Sequence, residues 1–254
     1  LVKYKGQYSI IGELQNVDNT PADIVIKATL YNDYNKELAN YNAKHQIKHK
    51  LMPKETTTFK INFEGIAWSS TKDTLPPTFN PDEFTPVSFE EQPTKFNLQS
   101  AGNVANTDLY KHVALQDLEY TEQGFNGVLF NSGVQEVTIP QLIISYYDAD
   151  GTLLWVDHKF VTEGVRIQRK QFFNYKPLEL DSLEIITSGL ENCFVNGSPN
   201  KAIADKIRGS KIMPIEAIFP NRILKHGKQQ AYPFKGKGYE YIKFEINSYI
   251  GNPK

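Results

Sequence analysis

The sequence predicts an all-β chain: two tandem antiparallel β-sandwiches, with one short helix in a C-terminal extension. Three observations carry that prediction. The chain repeats itself, because Gly12-Glu-Leu-Gln-Asn16 returns as Gly127-Val-Leu-Phe-Asn131, Tyr31-Asn-Asp33 as Tyr146-Tyr-Asp148, and Leu38 as Leu153, all 115 residues apart. A period of that length is a whole domain and too long for a solenoid turn. Apolar residues alternate with period two, and polar turns separate the runs. Finally, 14 Tyr and 15 Phe occur among 254 residues, and flat rings pack well on a pleated, half-buried surface.

Val2 and Tyr4 begin the first strand, echoed by Leu118 and Tyr120 with one residue of slip. Tyr8 to Asn16 is the second. Asp18-Asn-Thr-Pro21 then turns the chain: Asn and Asp side chains satisfy nearby backbone donors, and Pro presets φ. From Ile24 to Tyr31, the residues Ile24, Ile26, Ala28 and Leu30 share one face. Asp33-Tyr-Asn-Lys36 is a hairpin turn, and Leu51-Met-Pro-Lys-Glu55 another. The following strand points Phe59, Ile61 and Phe63 one way. The second copy keeps this order. Gly124 to Phe130 is a strand, Asn131-Ser-Gly133 a turn, Val137 to Tyr147 a longer strand, Asp148-Ala-Asp-Gly151 a hairpin turn, and Leu153 to Phe160 the return strand.

Residues 1–68 therefore form the first sandwich and residues 112–197 the second. Between them, residues 69–111 hold Pro76, Pro77, Pro81, Pro86 and Pro93, with Asp82, Glu83, Glu90 and Glu91. Pro cannot donate to a sheet ladder, so this segment reads as an acidic linker or decorated loop. Its Phe79, Phe84, Phe89 and Phe96 predict that it lies against a domain surface. Residues 198–254 read as a basic extension packed on the second domain. Ser198 is a cap residue, Pro199 stands at a first helical position, Gly209 closes the helix, and Ile203 and Ile207 share a face. Tyr239 to Ile250 then alternates as a final strand, with Ile242, Phe244 and Ile246 on one side.

The net charge of −1 gives the whole chain no electrostatic address. Residues 199–254 hold 11 Lys+Arg against 4 Asp+Glu, and the remainder 17 against 25. Their cations are scattered among apolar residues such as Ile212, Ile215, Ile218 and Phe219. That pattern predicts docking on the second domain and no nucleic-acid partner, since a nucleic-acid surface gathers its cations on one face. Cys193 is the only cysteine, which excludes an intrachain disulfide and a thiolate zinc cage. No stretch approaches ~20 consecutive apolar residues, so no membrane insertion is expected within this span. The chain opens at Leu1 without a Met or a signal-like stretch, as a processed chain would.

Motifs for catalysis are missing. There is no Gly-x-Ser-x-Gly elbow, phosphate-binding Gly loop or His-Glu-x-x-His, and neither catalytic residues nor cofactors nor metals are expected. Asp148-Ala-Asp-Gly151 has the alternate carboxylates of a calcium loop but lacks the later ligands, so a hairpin turn is the better reading. His45 and His49, at i and i+4, could share a metal on a helix, but on a strand they share a face about 13 Å apart, too far for one ion; Lys44, Lys48 and Lys50 around them would repel a cation, so a solvated strand or loop is the better reading. Asp157 and His158 are neighbours and point to opposite faces of a strand. Cys193 has apolar neighbours and reads as an inert buried thiol.

The recurring order of G-x-x-x-N, turn, apolar strand ending in Tyr-x-Asp, and hairpin resembles the FxLYD family. More broadly it resembles the small immunoglobulin- or fibronectin-like sandwiches of bacterial envelope proteins. Ser145-Tyr-Tyr-Asp148-Ala-Asp-Gly-Thr-Leu153 and Leu30-Tyr-Asn-Asp-Tyr-Asn-Lys-Glu-Leu38 carry the likeness. The first lacks the family's Leu, the second its turn Gly. The resemblance implies two immunoglobulin-like domains on a bacterial extracytoplasmic protein, at the cell surface or in the periplasm. It brings no catalytic residues. The expected function is a non-catalytic binding, interaction or spacer region of a cell-envelope protein, with a protein or glycan partner. The alternative is a carbohydrate-binding accessory module of a glycan-processing system. Trp155, Tyr239 and Tyr241 are the candidate ligand-binding residues. Tyr239 and Tyr241 fall opposite Ile242 and Phe244 in the alternation, where two rings facing solvent would form a platform for a sugar or a partner loop.

Overall fold

The computed structural model describes residues 1–16, 19–43, 48–63, 92–105, 112–121, 123–187, 194–195, 198–199, 211–212, 231–236 and 238–247. The first half holds β1 (Val2–Tyr4), β2 (Gln7–Gln15), β3 (Ala22–Tyr31), β4 (Glu37–Ala43), β5 (Thr56–Asn62) and β6 (Lys95–Val104). The second holds β7 (Val113–Thr121), β8 (Gly124–Asn131), β9 (Gln141–Tyr147), β10 (Leu153–Phe160) and β11 (Lys170–Tyr175). Short ladders follow at β12 (Glu184–Ile185), β13 (Phe194–Val195), β14 (Ser198–Pro199) and β15 (Lys211–Ile212), then β16 (Ala231–Gly236) and β17 (Tyr239–Asn247). The described residues are all-β, every ladder is antiparallel, and no helix appears among them. None of them forms a helix long and apolar enough to cross a membrane.

In the first half β2 pairs with β1 and β5, and β3 pairs with β4 and β6. In the second, β8 pairs with β7 and β11, while β9 pairs with β10 and β17. One buried cluster gathers Ile10, Leu14, Ile26, Leu30, Phe59 and Ile61 from the first pair of sheets; another gathers Phe125, Leu129, Ile144, Tyr146 and Ile242 from the second. Period-two alternation puts these side chains on the inner faces.

The repeated residues do the same local work in each half. Gly12 stands opposite Phe59 across β2 and β5, and Gly127 opposite Phe173 across β8 and β11. A Cβ on Gly12 would lie 2.6 Å from Phe59 Cε1, and one on Gly127 would lie 2.4 Å from Phe173 Cζ. Each glycine is the space its partner ring fills. Asn16 donates through Nδ2 to the carbonyls of Thr20 and Leu51, at 2.8 Å each. Asn131 donates to those of Gln135 (2.7 Å) and Val165 (3.0 Å). The backbone bonds recur too: Asn16 N to Glu55 O and Lys54 N to Asn16 O, against Asn131 N to Arg169 O and Gln168 N to Asn131 O.

These asparagines lock the end of a strand to two loops, so their loss should be costly in both halves. Asn131 is fully buried and also accepts from Gly133 N at 3.0 Å. Asn131→Ala strands two carbonyls and an N–H away from water, and should cost about 3 kcal/mol. The midpoint of thermal unfolding would drop by about 10 °C. Asn16→Ala should fall in the same range. A loss below ~1 kcal/mol at either site, measured by denaturant unfolding, would show that the asparagines are not the shared lock.

Several expectations are corrected. The hairpin turns correspond with a slip of one residue. Asn32 Oδ1 accepts from Tyr34 N and Lys36 N, as Asp148 Oδ1 accepts from Asp150 N and Thr152 N. Tyr31 thus matches Tyr147 and not Tyr146, since each directly precedes its turn. The long strand ending at Tyr147 starts only at Gln141, after Pro140, with Val137 in an isolated bridge to Val165. The expected linker over 69–111 contains β6, which pairs with β3 from Lys95 to Val104; residues 69–91 and 106–111 lie outside the described residues. Ser198 and Pro199, expected to open a helix, pair with Phe194 and Val195; residues 200–210 lie outside the described residues. The basic extension is no mere appendage. Its β17 runs between β9 and β16 with Ile242 and Phe244 in the second core, and β15 pairs with β2 of the first half.

Candidate functional site

β9 reads Gln-Leu-Ile-Ile-Ser-Tyr-Tyr, and all seven residues are buried. Leu142, Ile144 and Tyr146 face the second core. Alternation sends Ile143, Ser145 and Tyr147 to the other face, and a strand apolar on both faces needs cover on both. That cover is the first half. Thr58 and Ser145 share a hydrogen bond of 2.8 Å between their hydroxyls, and the Tyr147 hydroxyl donates to Glu13 Oε1 at 3.1 Å. Lys60 Nζ lies 4.6 Å from the centre of the Trp155 ring, near enough for a cation–π contact. At the end of β17, Asn247 Oδ1 accepts from His49 N at 3.2 Å, and its Nδ2 donates to Gln141 Oε1 at 2.9 Å.

The residues of this layer come from the outward faces of β2 and β5, where Glu13 stands opposite Thr58 and Ile11 opposite Lys60, and from those of β9 and β17. Glu13, Lys60, Lys243 and Glu245 keep only 5, 7, 5 and 6% of their surface. Charges are rarely buried so deeply without partners. Lys243 Nζ lies 3.3 Å from Glu245 Oε2, and Tyr147 reaches Glu13. Burial above all, then the neighbouring Glu13 and Glu245 carboxylates, pushes the Tyr147 hydroxyl well above its ordinary range. It is therefore a hydrogen-bond donor at neutral pH.

The two halves also exchange backbone. β12 pairs with β1, the Leu1 ammonium donates to Thr187 O at 2.9 Å, and the Tyr4 hydroxyl donates to Glu179 O at 2.7 Å. Val2 and Tyr4 accordingly belong to the second core.

Inside that core, Tyr146 and Tyr175 share a hydrogen bond. Tyr175 donates to Asp157 Oδ2 at 2.7 Å, and Leu178 N donates to the Tyr146 hydroxyl at 3.1 Å. Burial is the largest cause that raises both phenols. The chain of hydroxyls ties β9, β10 and β11 to the segment after β11. Chemically it holds two neutral phenols against one half-buried carboxylate.

The residues singled out for ligand binding do not form one strip. Trp155 and Tyr239 are buried, at 5 and 4% exposure, and Tyr241 is half-buried. Trp155 packs on Tyr4 with ring centres 5.1 Å apart, and Tyr239 meets Tyr146 edge-on at 4.8 Å. Tyr241 pairs with Tyr147 on the opposite side of the sheet. Alternation assigns faces only along a regular strand. Trp155 sits at a register shift between Leu153 and Trp155, and Tyr239 follows Gly238 at φ +87°. Both rings turn inward there.

Asp148 spends its carboxylate on the N–H groups of its own hairpin turn, with Gly151 at φ +82°. His49 Nδ1 lies 3.6 Å from Asp23 Oδ1; His45 and Cys193 are outside the described residues. No group of three or more His, Cys, Asp or Glu side chains among the described residues is placed to hold a metal ion. Sequence reasoning missed Glu13, Thr58, Lys60, Ser145, Lys243 and Glu245. One signal was there to read: the apolar run Leu142-Ile-Ile144, too continuous for a strand with a wet face.

No family model and no curated protein matches the chain. Among solved structures it is similar to a Bacteroides uniformis β-glucuronidase, at 14% identity and a TM-score of 0.18, with 68% of this chain and 22% of that one covered. It is also similar to Bacteroides uniformis β-glucuronidase 2 bound covalently to cyclophellitol-6-carboxylate aziridine, at 13% identity and a TM-score of 0.19, with 73% and 22% covered. The chain thus spans about a fifth of their length, and likenesses this slight carry no argument.

Proposed function

We propose that this chain is two immunoglobulin-like sandwiches joined as one rigid unit, serving as a non-catalytic interaction or spacer region of a bacterial cell-envelope protein. The observation that carries this reading is the buried polar layer: Thr58 on Ser145, Tyr147 on Glu13 and Lys60 on Trp155. Two domains strung on a loose linker would keep such groups in water. Support for the tandem arrangement comes from the pairing in each half: the first, second and fifth strands lie in one sheet, and the third pairs with the fourth and with a strand later in the chain, β6 in the first half and β17 in the second, as in an immunoglobulin-type sandwich. The shared glycine and asparagine contacts support it too. The envelope location rests on the resemblance of the Tyr-Tyr-Asp and Tyr-Asn-Asp turns to the FxLYD family. A glycan-binding module would need a surface other than Trp155 and Tyr239, whose rings are buried.

A rigid unit has one distance between its halves. Spin labels at the exposed Tyr34 and Val134, in a Cys193→Ser background, should give a single narrow distance distribution by pulsed electron resonance. Ser145→Arg, which drives a charge into the layer, should broaden it. A broad distribution in the parent protein would rule out the rigid unit. Saturable binding on a glycan array that is lost in Tyr241→Ala would favour the carbohydrate-binding alternative.

A further inference from the structure

We infer that the edge of β2 on the side away from β5 is a strand-accepting site, closed here by the chain's own β15 and suited to an extended segment of a partner protein. The inference rests on the correspondence of the two halves proposed above. Gly12 faces Phe59 as Gly127 faces Phe173, so β2 matches β8 and β5 matches β11. The other side of β8 belongs to β7, which comes in two pieces. Residues 119–121 form a hairpin with the start of β8. Beyond a register shift, residues 113–116 run beside residues 128–131.

The first half fills the same two places from different parts of the chain. β1 forms the hairpin with β2, with Tyr4 beside Gln7 as Thr121 is beside Gly124. Farther along β2, Lys211 stands beside Gln15 and Ile212 beside Leu14. Counted from the glycines, Gln15 and Leu14 match Phe130 and Leu129, whose partners on β7 are Ala114 and Leu115. β15 therefore takes the position of residues 114 and 115, and it runs in the same antiparallel direction. Among the described residues, this part of the first half's sheet is borrowed from the segment that goes on to supply β16 and β17 to the second half.

The two halves differ in how well this place is held. β15 pairs with two residues of β2, whereas residues 113–116 pair with four of β8. A short ladder gives way to a longer one, because each added residue brings main-chain bonds. The second half also shows what sequence the place takes. Val113 is buried in the second core and Leu115 packs against it, since alternate residues of a strand share a face. Leu14, beside which the incoming strand must lie, is fully buried in the first core. The occupant that fits is an extended peptide reading apolar-x-apolar, antiparallel to β2, with its second apolar residue beside Leu14. Main-chain bonds would supply the affinity and the two alternate side chains the specificity, as in strand addition at a sheet edge.

A fluorescent peptide copying residues 112–117 is the probe, because that sequence already fills the matching place in the second half. Lys211→Pro together with Ile212→Pro takes β15 off β2. Successive N–H groups point to opposite sides of a strand, so one of the two faces β2, and proline removes it. By fluorescence anisotropy, the full chain with both prolines should bind the peptide roughly tenfold more tightly than the parent, the equivalent of about 1.4 kcal/mol. Leu115→Lys within the peptide should weaken binding by a similar factor. A reversible latch covers the case in which the proline variant misfolds. Gln15→Cys with Lys211→Cys, in a Cys193→Ser background, joins two directly opposed positions, a separation that a disulfide spans. Oxidation should abolish peptide binding and reduction restore it. Equal binding to the oxidised and reduced latch overturns the inference, as does the lack of saturable binding to both the reduced latch and the proline variant. Self-association of the parent that the oxidised latch abolishes would assign the place to exchange of β15 between copies, and would overturn the partner segment. None of these outcomes bears on the distance between the two halves, which tests the rigid unit separately.

Discussion

Truncation after Gly197 should unfold the second half. The removed segment contains β17, which is hydrogen-bonded to β9 from Tyr241 to Asn247 and carries Ile242 and Phe244 into the second core. Burial of two such side chains stabilises by about 3–6 kcal/mol, and the edge of β9 left bare by the cut adds its unpaired backbone groups to the loss. Lys243, Glu245 and Asn247 leave the buried layer at the same time. Domains are stable by only about 5–15 kcal/mol in total, so the second half should not survive. Near-ultraviolet circular dichroism should collapse, and the truncated chain should aggregate. Ile242→Asp is the sharper variant, because it keeps the chain length and buries one unpaired charge; a loss of several kcal/mol is expected. A truncated chain with the parent's cooperative melt would show that β17 contributes nothing to the second core.

Alkaline pH should unfold the protein well before backbone chemistry intervenes. The hydroxyls of Tyr146, Tyr147, Tyr175 and Tyr239 are all raised above the ordinary phenol value, in each case first by burial. Tyr239 is raised further by Tyr120 and Glu179 nearby. In the unfolded chain these groups ionise near pH 10, roughly the value of a free phenol. Above that pH the unfolded state binds fewer protons than the folded one, so stability falls as pH rises. It is fully present below about pH 10 and is lost as pH climbs toward the folded values. Each such phenol contributes a slope of about 1.4 kcal/mol per pH unit, and the hydrogen-bonded Tyr146 and Tyr175 titrate as a pair. Together they remove most of a domain's stability within about two units. Phenolate absorbance should therefore rise in a cooperative step that coincides with loss of the β-sheet signal. Tyr147→Phe, which removes one of these phenols, should make that step shallower. Smooth ionisation of every tyrosine without unfolding would refute the prediction.

How much was legible depended on the range of the interaction. Turns and strands were readable because their causes are local. Asp148-Ala-Asp-Gly151 turns because a carboxylate caps its own backbone, and Gly151 takes a positive φ. Gly12, Gly127, Asn16 and Asn131 stood out because the same pattern occurs twice. The register of the turns was misread by one residue, since Tyr146 and Tyr147 are both tyrosine and the letters alone do not say which one faces the core. The linker hid β6 for a similar reason: prolines mark where a ladder cannot run, but the alternation of Phe96 and Leu98 only makes sense beside Leu30 and Ala28.

By itself, the sequence determined the all-β character of the described residues, the positions of their hairpin turns and the inward faces of their regular strands, because φ preferences and period two act over a few residues. Only the tertiary structure decided which outer faces are wet. Thr58, Lys60 and Glu13 have the letters of a solvated surface, and they are buried because another sheet lies over them. Phe172 has the letter of a core residue and lies in water. Burial is a property of what comes to rest against a residue, and between strands distant in the chain no local pattern carries that information.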